Sequence, residues 1–291
     1  AEKNAPVFHG LGKFDPETGK IIKKSVNPSY SKVFGQAMVD LAAQDDKVVA
    51  LTAAMELGTG LSDFAKTYPD RFYDVGIAEG HAVTFAAGMA AQGMKPVCAI
   101  YSSFLQRAYD MIIHDVALQK LPVIFALDRA GLVGDDGPTH HGVFDMAFLR
   151  TIPDMVIMAP KDENELRHML YTASLYNKGP VALRYPRGEG EGVAPSEEFI
   201  QLPVGKSEVV RQGREVAIVA IGSMVYRAVE AADELEKQTG LSPTVVNARF
   251  LKPIDTEMLD NLAAHYKLVI TVEEGTQKGG LGSEIVEYFA A

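Results

Sequence analysis

The stretch that decides the fold runs from Asp74 to Gly88 and reads Asp-Val-Gly-Ile-Ala-Glu-Gly-His-Ala-Val-Thr-Phe-Ala-Ala-Gly. Residues 72–75 predict the end of a strand, and residues 82–91 predict a buried helix of small and apolar side chains. Glu79 lies at this junction, where burial would disfavour its charged form, so its carboxyl group could share a proton with a nitrogen heterocycle. The alternative is a capping role, because the helix dipole favours acidic residues in a first turn.

Short apolar runs alternate with longer helical stretches on both sides of this segment. The unbroken apolar run 122–127 is typical of a strand that is buried on both faces. Strands separated by helices imply right-handed crossovers and a mostly parallel sheet, so the predicted fold class is α/β. The other candidate strands are 48–52, 97–101, 155–158 and 181–183, and the candidate helices are 31–43, 61–67, 104–119 and 163–176.

A glycine- and acid-rich break over residues 187–198 separates two such units. The second unit has candidate strands at 216–221, 244–247 and 268–272, with helices at 224–238 and 255–265. We predict two mostly parallel-sheet domains with the following division: an arm over 1–28, a first domain over 29–190, a linker over 191–204 and an apparently truncated second domain over 205–291.

Composition limits the class of protein. The chain has 291 residues, 47% of them hydrophobic, and a net charge of −10, which argues against a nucleic-acid-binding protein. The single cysteine, Cys98, lies in an apolar run and predicts a buried thiol. No disulfide can form within the chain, which fits a reducing cytoplasm. No apolar run reaches the roughly 18 residues that would span a bilayer.

Polar and aromatic residues follow several predicted strands, where open parallel sheets bind ligands. Tyr101 and Phe104 could stack on a flat heteroaromatic ring, or they could be core aromatics. Arg129 and Arg187 follow two further strands and could bind a phosphate together, or each could form a surface ion pair.

The glycine-rich loop 131–142 carries Asp136, His140 and His141. Adjacent histidines point in different directions and their spacing matches no zinc pattern, so we predict no metal site in this chain. A histidine exchanges protons near neutral pH, so the loop could face a substrate, although a solvated loop is the alternative. The run Gly279–Gly282 predicts a tight turn into a last helix rather than a phosphate-binding loop.

Four segments together resemble the transketolase-like thiamine diphosphate enzymes. They are Ile-Ala-Glu-Gly-His-Ala at 77–82, Tyr-Ser-Ser-Phe-Leu-Gln-Arg-Ala-Tyr-Asp at 101–110, Asp-Arg-Ala-Gly-Leu-Val-Gly-Asp-Asp-Gly-Pro-Thr-His at 128–140, and Leu-Arg-Tyr-Pro-Arg-Gly at 183–188. The resemblance covers nearly the whole chain. It is strongest to members that condense pyruvate with D-glyceraldehyde 3-phosphate and release carbon dioxide.

The resemblance implies a role for each matching residue. Glu79 would hold N1′ of the cofactor's aminopyrimidine, while Phe104 would stack on that ring with Tyr101 beside it. The substrate's phosphate would bind the two arginines named above. The catalytic residues would be Glu79, Asp136 and His140, with substrate binding by Tyr101, Arg129, Asp136, His140 and Arg187. His81 and Arg107 are weaker candidates for the same pocket.

One departure from the family pattern is informative. These enzymes bind the diphosphate through Mg²⁺ on another domain, with a Gly-Asp-Gly motif that Gly134–Gly137 does not reproduce. We therefore expect a fragment, inactive alone, whose partners are the N-terminal diphosphate-binding half and a second copy in a homodimer.

Two other interpretations remain open. The first is the β-type subunit of a two-chain thiamine enzyme, either a 2-oxo acid dehydrogenase or a split transketolase. The second is a non-catalytic α/β module for nucleotide binding or assembly, in which the small-residue helix around Gly80 and residues 86–88 would pack against a partner.

Overall fold

A parallel sheet of seven strands forms the larger part of the computed structural model, which describes residues 14–20 and 27–291. Its strands are β1 (Val48–Thr52), β2 (Phe72–Asp74), β3 (Lys95–Tyr101), β4 (Ile124–Asp128), β5 (Val156–Met158), β6 (Val181–Arg184) and β10 (Phe250–Lys252). The strand order is β10-β5-β6-β4-β3-β1-β2, and every pairing is parallel except β10 with β5. The prediction of an α/β fold with mostly parallel sheets is confirmed.

Both faces of the seven-stranded sheet are covered. On β3, Val97 and Ala99 belong to one hydrophobic cluster, while Cys98 and Ile100 belong to the cluster on the other face. Fully burying one such aliphatic side chain contributes about 1.5–3 kcal/mol. Burial also raises the pKa of the Cys98 thiol to about 12, so the predicted buried thiol is confirmed.

Most of the longer helices lie where the periodicity predicted them, with ends shifted by a few residues, but the helix Asp145–Arg150 was not predicted. The first begins after Ser29, whose hydroxyl accepts from the amide of Lys32. Asp255, predicted as the first residue of a helix, instead caps the helix that follows it. The longer helices are Tyr30–Gln44, Ser62–Thr67, Glu79–Ala91, Asp145–Arg150, Glu163–Leu175, Met224–Thr239, Thr256–His265 and Leu281–Ala290.

The prediction of one long helix over 104–119 is wrong. A short α-helix (Ser102–Leu105) passes into a 3₁₀ turn (Gln106–Ala108), a single α turn (Tyr109–Met111) and a π-helical stretch (Ile112–Ala117). Such local changes in helical winding turn the side chains relative to a regular helix.

The second unit builds a sheet of four strands in the order β11-β8-β9-β7. Its strands are β7 (Glu208–Arg211), β8 (Val216–Ala220), β9 (Thr244–Asn247) and β11 (Leu268–Val272). The sequence did not predict β7 or β10, which are short and antiparallel to their neighbours. Because β10 lies in the second unit but pairs with β5, the two units share the larger sheet.

Residues 1–13 and 21–26 of the predicted arm lie outside the described residues. The division into domains at residues 29, 191 and 205 stays a prediction. Among the described helices, none is both long and apolar enough to cross a membrane.

Candidate active site

The carboxyl ends of β1, β3, β4 and β6 meet at one edge of the larger sheet because these strands are parallel. A cleft of about 680 Å³ opens there. Its polar lining comes from strand ends and from the loops after β1 and β4: Glu56, Asp74, Tyr101, Arg129, Asp136 and His140.

Glu79 is the first residue of its helix, and only 6% of its side chain is exposed. Its Oε1 accepts a 3.1 Å hydrogen bond from Nη1 of Arg107, while Oε2 has no partner within the described part of the chain. One oxygen is thus held by an ion pair and the other is free to bind a ligand.

The aromatic pair is linked to this carboxylate through Arg107. The rings of Tyr101 and Phe104 stack with centroids 5.4 Å apart and planes 19° apart. The guanidinium of Arg107 lies 5.3 Å from the centroid of Phe104 and that of Arg129 lies 4.1 Å from the centroid of Tyr101. Burial raises the pKa of Tyr101 to about 12, so its hydroxyl stays protonated at neutral pH. The half-buried ring of Phe104 retains an accessible surface.

Arg129 is anchored at the end of β4 in a left-handed backbone conformation with a φ of 60°. Its Nη1 donates to the carbonyl oxygen of Gly58 at 2.6 Å and to Oδ1 of Asp128 at 2.8 Å. Burial raises the pKa of Asp128, although the neighbouring guanidinium opposes this shift. Nε of Arg129 is buried without a hydrogen-bond partner, so one donor of this side chain is unused.

Asp136 lies between the two arginines. Its Oδ2 is 2.9 Å from Nε of Arg187 and 3.7 Å from Nε of Arg129. Arg187 also donates to the carbonyl oxygen of Val133 at 3.3 Å. The predicted arginine pair is therefore brought together, and a carboxylate already bridges it.

The two adjacent histidines face different neighbours, as predicted. The ring of His140 packs edge-on against Phe104 with centroids 5.3 Å apart. Nδ1 of His141 accepts from the amide of Val133 at 3.1 Å and so stabilises the loop. His81 is exposed and stacks on Phe85, so the structure does not bring it together with the other candidates.

The glycine run near the carboxyl end is a turn into the helix Leu281–Ala290, as predicted. The carboxylate of Glu273 accepts from the amides of Leu281 and Gly282 at 2.8 and 2.9 Å. This internal carboxylate takes the position that an external anion would need. Over the described ranges, no group of three or more His, Cys, Asp or Glu residues is arranged to hold a metal ion.

The sequence did not predict two parts of the site. The loop after β1 supplies Glu56 to the lining and the Gly58 carbonyl to Arg129. This loop follows a strand, as the other site segments do, and that position is the feature of the sequence that could have indicated it. The contact between Arg107 and Glu79 depends on the broken helix and had no signal in the sequence.

Comparison with known proteins agrees with this arrangement. Residues 26–191 match the transketolase pyrimidine-binding domain and residues 205–291 match the transketolase C-terminal domain. The first match alone covers more than half of the chain, so the chain belongs to the transketolase family.

Two curated relatives of this chain carry the same enzyme name. The chain is 57% identical to the 1-deoxy-D-xylulose-5-phosphate synthase of Aquifex aeolicus over 290 residues, which is 100% of this chain and 46% of that protein. It is 60% identical to the synthase of the same name from Thermomicrobium roseum over 263 residues, 90% of this chain and 42% of that protein. The chain thus spans about half the length of the curated relatives it matches.

Solved structures show the same fold. A split-gene transketolase, solved as an inactive β4 tetramer, is 34% identical with a TM-score of 0.82, over 91% of this chain and 85% of that chain. A transketolase from Pichia stipitis is 20% identical with a TM-score of 0.71, over 88% of this chain and 40% of that chain, which shows the fold alone.

Proposed function

We propose that this chain forms the pyrimidine side of a thiamine diphosphate enzyme, a transferase that condenses pyruvate with D-glyceraldehyde 3-phosphate. The products would be 1-deoxy-D-xylulose 5-phosphate and carbon dioxide. The observation that carries the proposal is the buried Glu79 carboxylate, which has one oxygen without a partner among the described residues and is linked through Arg107 to a stacked aromatic pair. The identity of 57% to a synthase of this activity over the whole chain supports the choice of reaction.

The residues present fit the pyrimidine end of the cofactor. The free oxygen of Glu79 suits a ring nitrogen, and Phe104 and Tyr101 suit stacking on a flat heterocycle. When bound, thiamine diphosphate supplies a nucleophilic carbon and an electron sink for decarboxylation. Mg²⁺ and the diphosphate would be held by a diphosphate-binding half of the enzyme, with which this chain would assemble.

The phosphorylated aldehyde would bind at the arginine pair. Guanidinium groups bind phosphate through two parallel hydrogen bonds, and Nε of Arg129 has an unused donor. Asp136 would leave its position between the arginines when the phosphate enters, because the two anions repel each other. His140, packed against Phe104, would face the reacting end of the substrate and could exchange a proton there.

The test is an assay of carbon dioxide release from pyruvate with D-glyceraldehyde 3-phosphate. It should be run on this chain alone and on the chain together with a diphosphate-binding half. We expect turnover only in the second case, and only when both substrates, the cofactor and Mg²⁺ are present. Normal turnover by the chain alone, or none with the added half, would contradict the proposal.

A second candidate is the β-type subunit of a two-chain transketolase. The chain covers 85% of the split-gene transketolase chain, compared with 46% of the synthase from Aquifex aeolicus. A ketol transfer from a sugar phosphate releases no carbon dioxide, so the same assay separates the two reactions. Lipoamide as acceptor would identify a 2-oxo acid dehydrogenase, and retained function in Glu79→Ala would identify a non-catalytic module. Dimer formation and a cytoplasmic location stay predictions.

A further inference from the structure

We propose that Glu274 of the second unit is a positioning residue for the substrate loop of the first unit. The expected effect on catalysis rests on the proposed function, whereas the contacts that hold the loop do not depend on it. The substrate loop is defined here as residues 131–142, which carry Asp136 and His140. The geometry assigns to the second unit the task of bracing the base of this loop.

The base of the substrate loop is closed by two glycines. The amide of Gly131 donates to the carbonyl oxygen of Gly142 at 2.8 Å, and the amide of Gly142 donates back at 2.9 Å. Gly131 has a φ of 78°, a conformation that suits glycine. The position of every residue between these two glycines therefore depends on how this pair is held.

Glu274 lies directly against one member of that pair, Gly131. A Cβ atom added to Gly131 would lie 2.6 Å from Oε2 of Glu274, so the side chain fills the space beside the glycine. Ser223, directly before the helix Met224–Thr239, donates to the same Oε2 at 3.1 Å and sets its orientation. Both Glu274 and Ser223 come from the second unit, whereas both glycines come from the first.

The backbone of Glu274 is fixed as well. Its carbonyl oxygen accepts from Nη2 of Arg184 at 3.1 Å, and Nε of Arg184 binds Oδ2 of Asp145 at 2.9 Å. The arginine and the aspartate are both buried, so this ion pair is a rigid support. The amide of Thr276 donates to the carbonyl oxygen of Val143, immediately after the loop. Side chain and backbone contacts thus join the second unit to the loop base.

The consequence concerns the arginine pair of the site. Asp136 reaches Arg187 and Arg129 only while the loop keeps its position. A loosened base would let Asp136 and His140 move relative to the arginines, and small displacements of positioning groups lower the rate of reaction. Among the described residues, the Glu274 side chain forms no hydrogen bond or ion pair with a predicted site residue, so it would act through Gly131.

Hydrogen exchange of the 291-residue chain tests the structural part without any activity. In Glu274→Ala, the amides of Gly131 and Gly142 should exchange about tenfold faster, because local opening becomes easier. Glu274→Gln keeps the volume and an acceptor for Ser223, so it should exchange like the wild type. The matched control is Glu273→Ala, which should speed exchange at Leu281 and Gly282 but not in the substrate loop. Equal loop exchange in Glu274→Ala and the wild type would overturn the proposal.

The catalytic part is tested in the enzyme assembled with its diphosphate-binding half. Glu274→Ala should raise KM for D-glyceraldehyde 3-phosphate about tenfold and leave KM for pyruvate nearly unchanged, since loosening affects the phosphate side. Glu274→Gln should restore the wild-type value. Faster loop exchange with unchanged kinetics would overturn the positioning role alone. Absence of the reaction in the wild-type assembly would instead overturn the proposed function and leave the exchange result standing.

Discussion

Nη1 of Arg107 lies 3.1 Å from Oε1 of Glu79, and the same guanidinium covers the ring of Phe104. One side chain therefore holds both the carboxylate and the aromatic ring that a pyrimidine would contact. Phe104 and Arg107 are three residues apart, a spacing that places them on one face of a helical segment. We first predict the effects of replacing Glu79 and Arg107.

Replacing Glu79 by glutamine should abolish turnover of the assembled enzyme without unfolding the chain. The variant keeps the shape of the side chain but removes its charge and its ability to hold a proton, so we expect a loss of about 10²–10⁴-fold in kcat. Steady-state kinetics and circular dichroism measure the two effects. Glu198→Gln, an exposed acid in the linker, is the matched control and should keep full activity. Acid–base catalysis by a side chain contributes about 10²–10⁴-fold to the rate. Activity of Glu79→Gln within about threefold of the wild type would therefore contradict a role of Glu79 in proton transfer.

Arg107→Ala should destabilise the chain only slightly and yet impair the site. The carboxylate loses its partner, but the arginine is 60% exposed and water can replace it, so unfolding should become easier by about 1 kcal/mol. Loss of the guanidinium removes the group that contacts both the Glu79 carboxylate and the Phe104 ring, so kcat of the assembled enzyme should fall about tenfold. Denaturant unfolding and steady-state kinetics measure these effects. Arg107→Lys should fall between Arg107→Ala and the wild type, and an unchanged kcat in Arg107→Ala would show that this contact does not position Glu79.

Arg187→Ala should weaken the binding of inorganic phosphate to this chain. Each charge-assisted hydrogen bond to an anion is worth about 1.5–3 kcal/mol, so Kd should rise about ten- to hundredfold. Isothermal titration calorimetry measures this directly. Arg214→Ala removes the same charge from an exposed position outside the cleft and should leave Kd unchanged. If both variants lost affinity equally, net charge rather than the arginine pair would be responsible.

Asp136→Asn should have the opposite effect on the same titration. Its carboxylate now occupies the space between the guanidinium groups, 2.9 Å from Arg187. Removing that charge releases the arginines for an incoming anion, so phosphate should bind about fivefold more tightly. Weaker binding in Asp136→Asn would mean that the carboxylate aligns the arginines instead of competing with the ligand.

The carboxyl group of Asp255 should make the free energy of unfolding depend on pH. Burial acts to raise its pKa, but the amide and hydroxyl of Ser207, the amide of Met258 and the charge of Lys206 outweigh it, so the pKa is lowered. A lowered folded-state pKa stabilises the protein above the unfolded-state pKa near 3.8, and this stabilisation disappears as the pH falls through the folded-state value.

Asp255→Ala should therefore cost about 1–2 kcal/mol at pH 7, since it also removes a helix cap. The difference from the wild type should shrink as the pH falls below about 4. Urea unfolding across that range measures it, with the neighbouring Glu257→Ala as the control of smaller effect. A difference that stays constant down to the lowest pH would exclude the charge as its source.

Local patterns predicted most of the fold. The strands Val48–Thr52, Thr244–Asn247 and Leu268–Val272 have the predicted bounds, because apolar runs flanked by turn residues are strong local signals. Two short strands, β7 and β10, were missed. Each has only three or four residues and is stabilised by pairing with a distant segment, so its own sequence carries little information.

The sequence by itself determined the order of most strands and helices, the family resemblance and the identity of the polar residues that follow the strands. These depend on side-chain periodicity and on the rule that parallel strands end at one edge. Only the tertiary structure decided which charges meet: Arg107 with Glu79, Asp136 between two arginines, and Glu274 against Gly131. Such contacts join residues that are 7 to 143 positions apart, and their geometry follows from helix breaks and loop conformations that long-range packing selects.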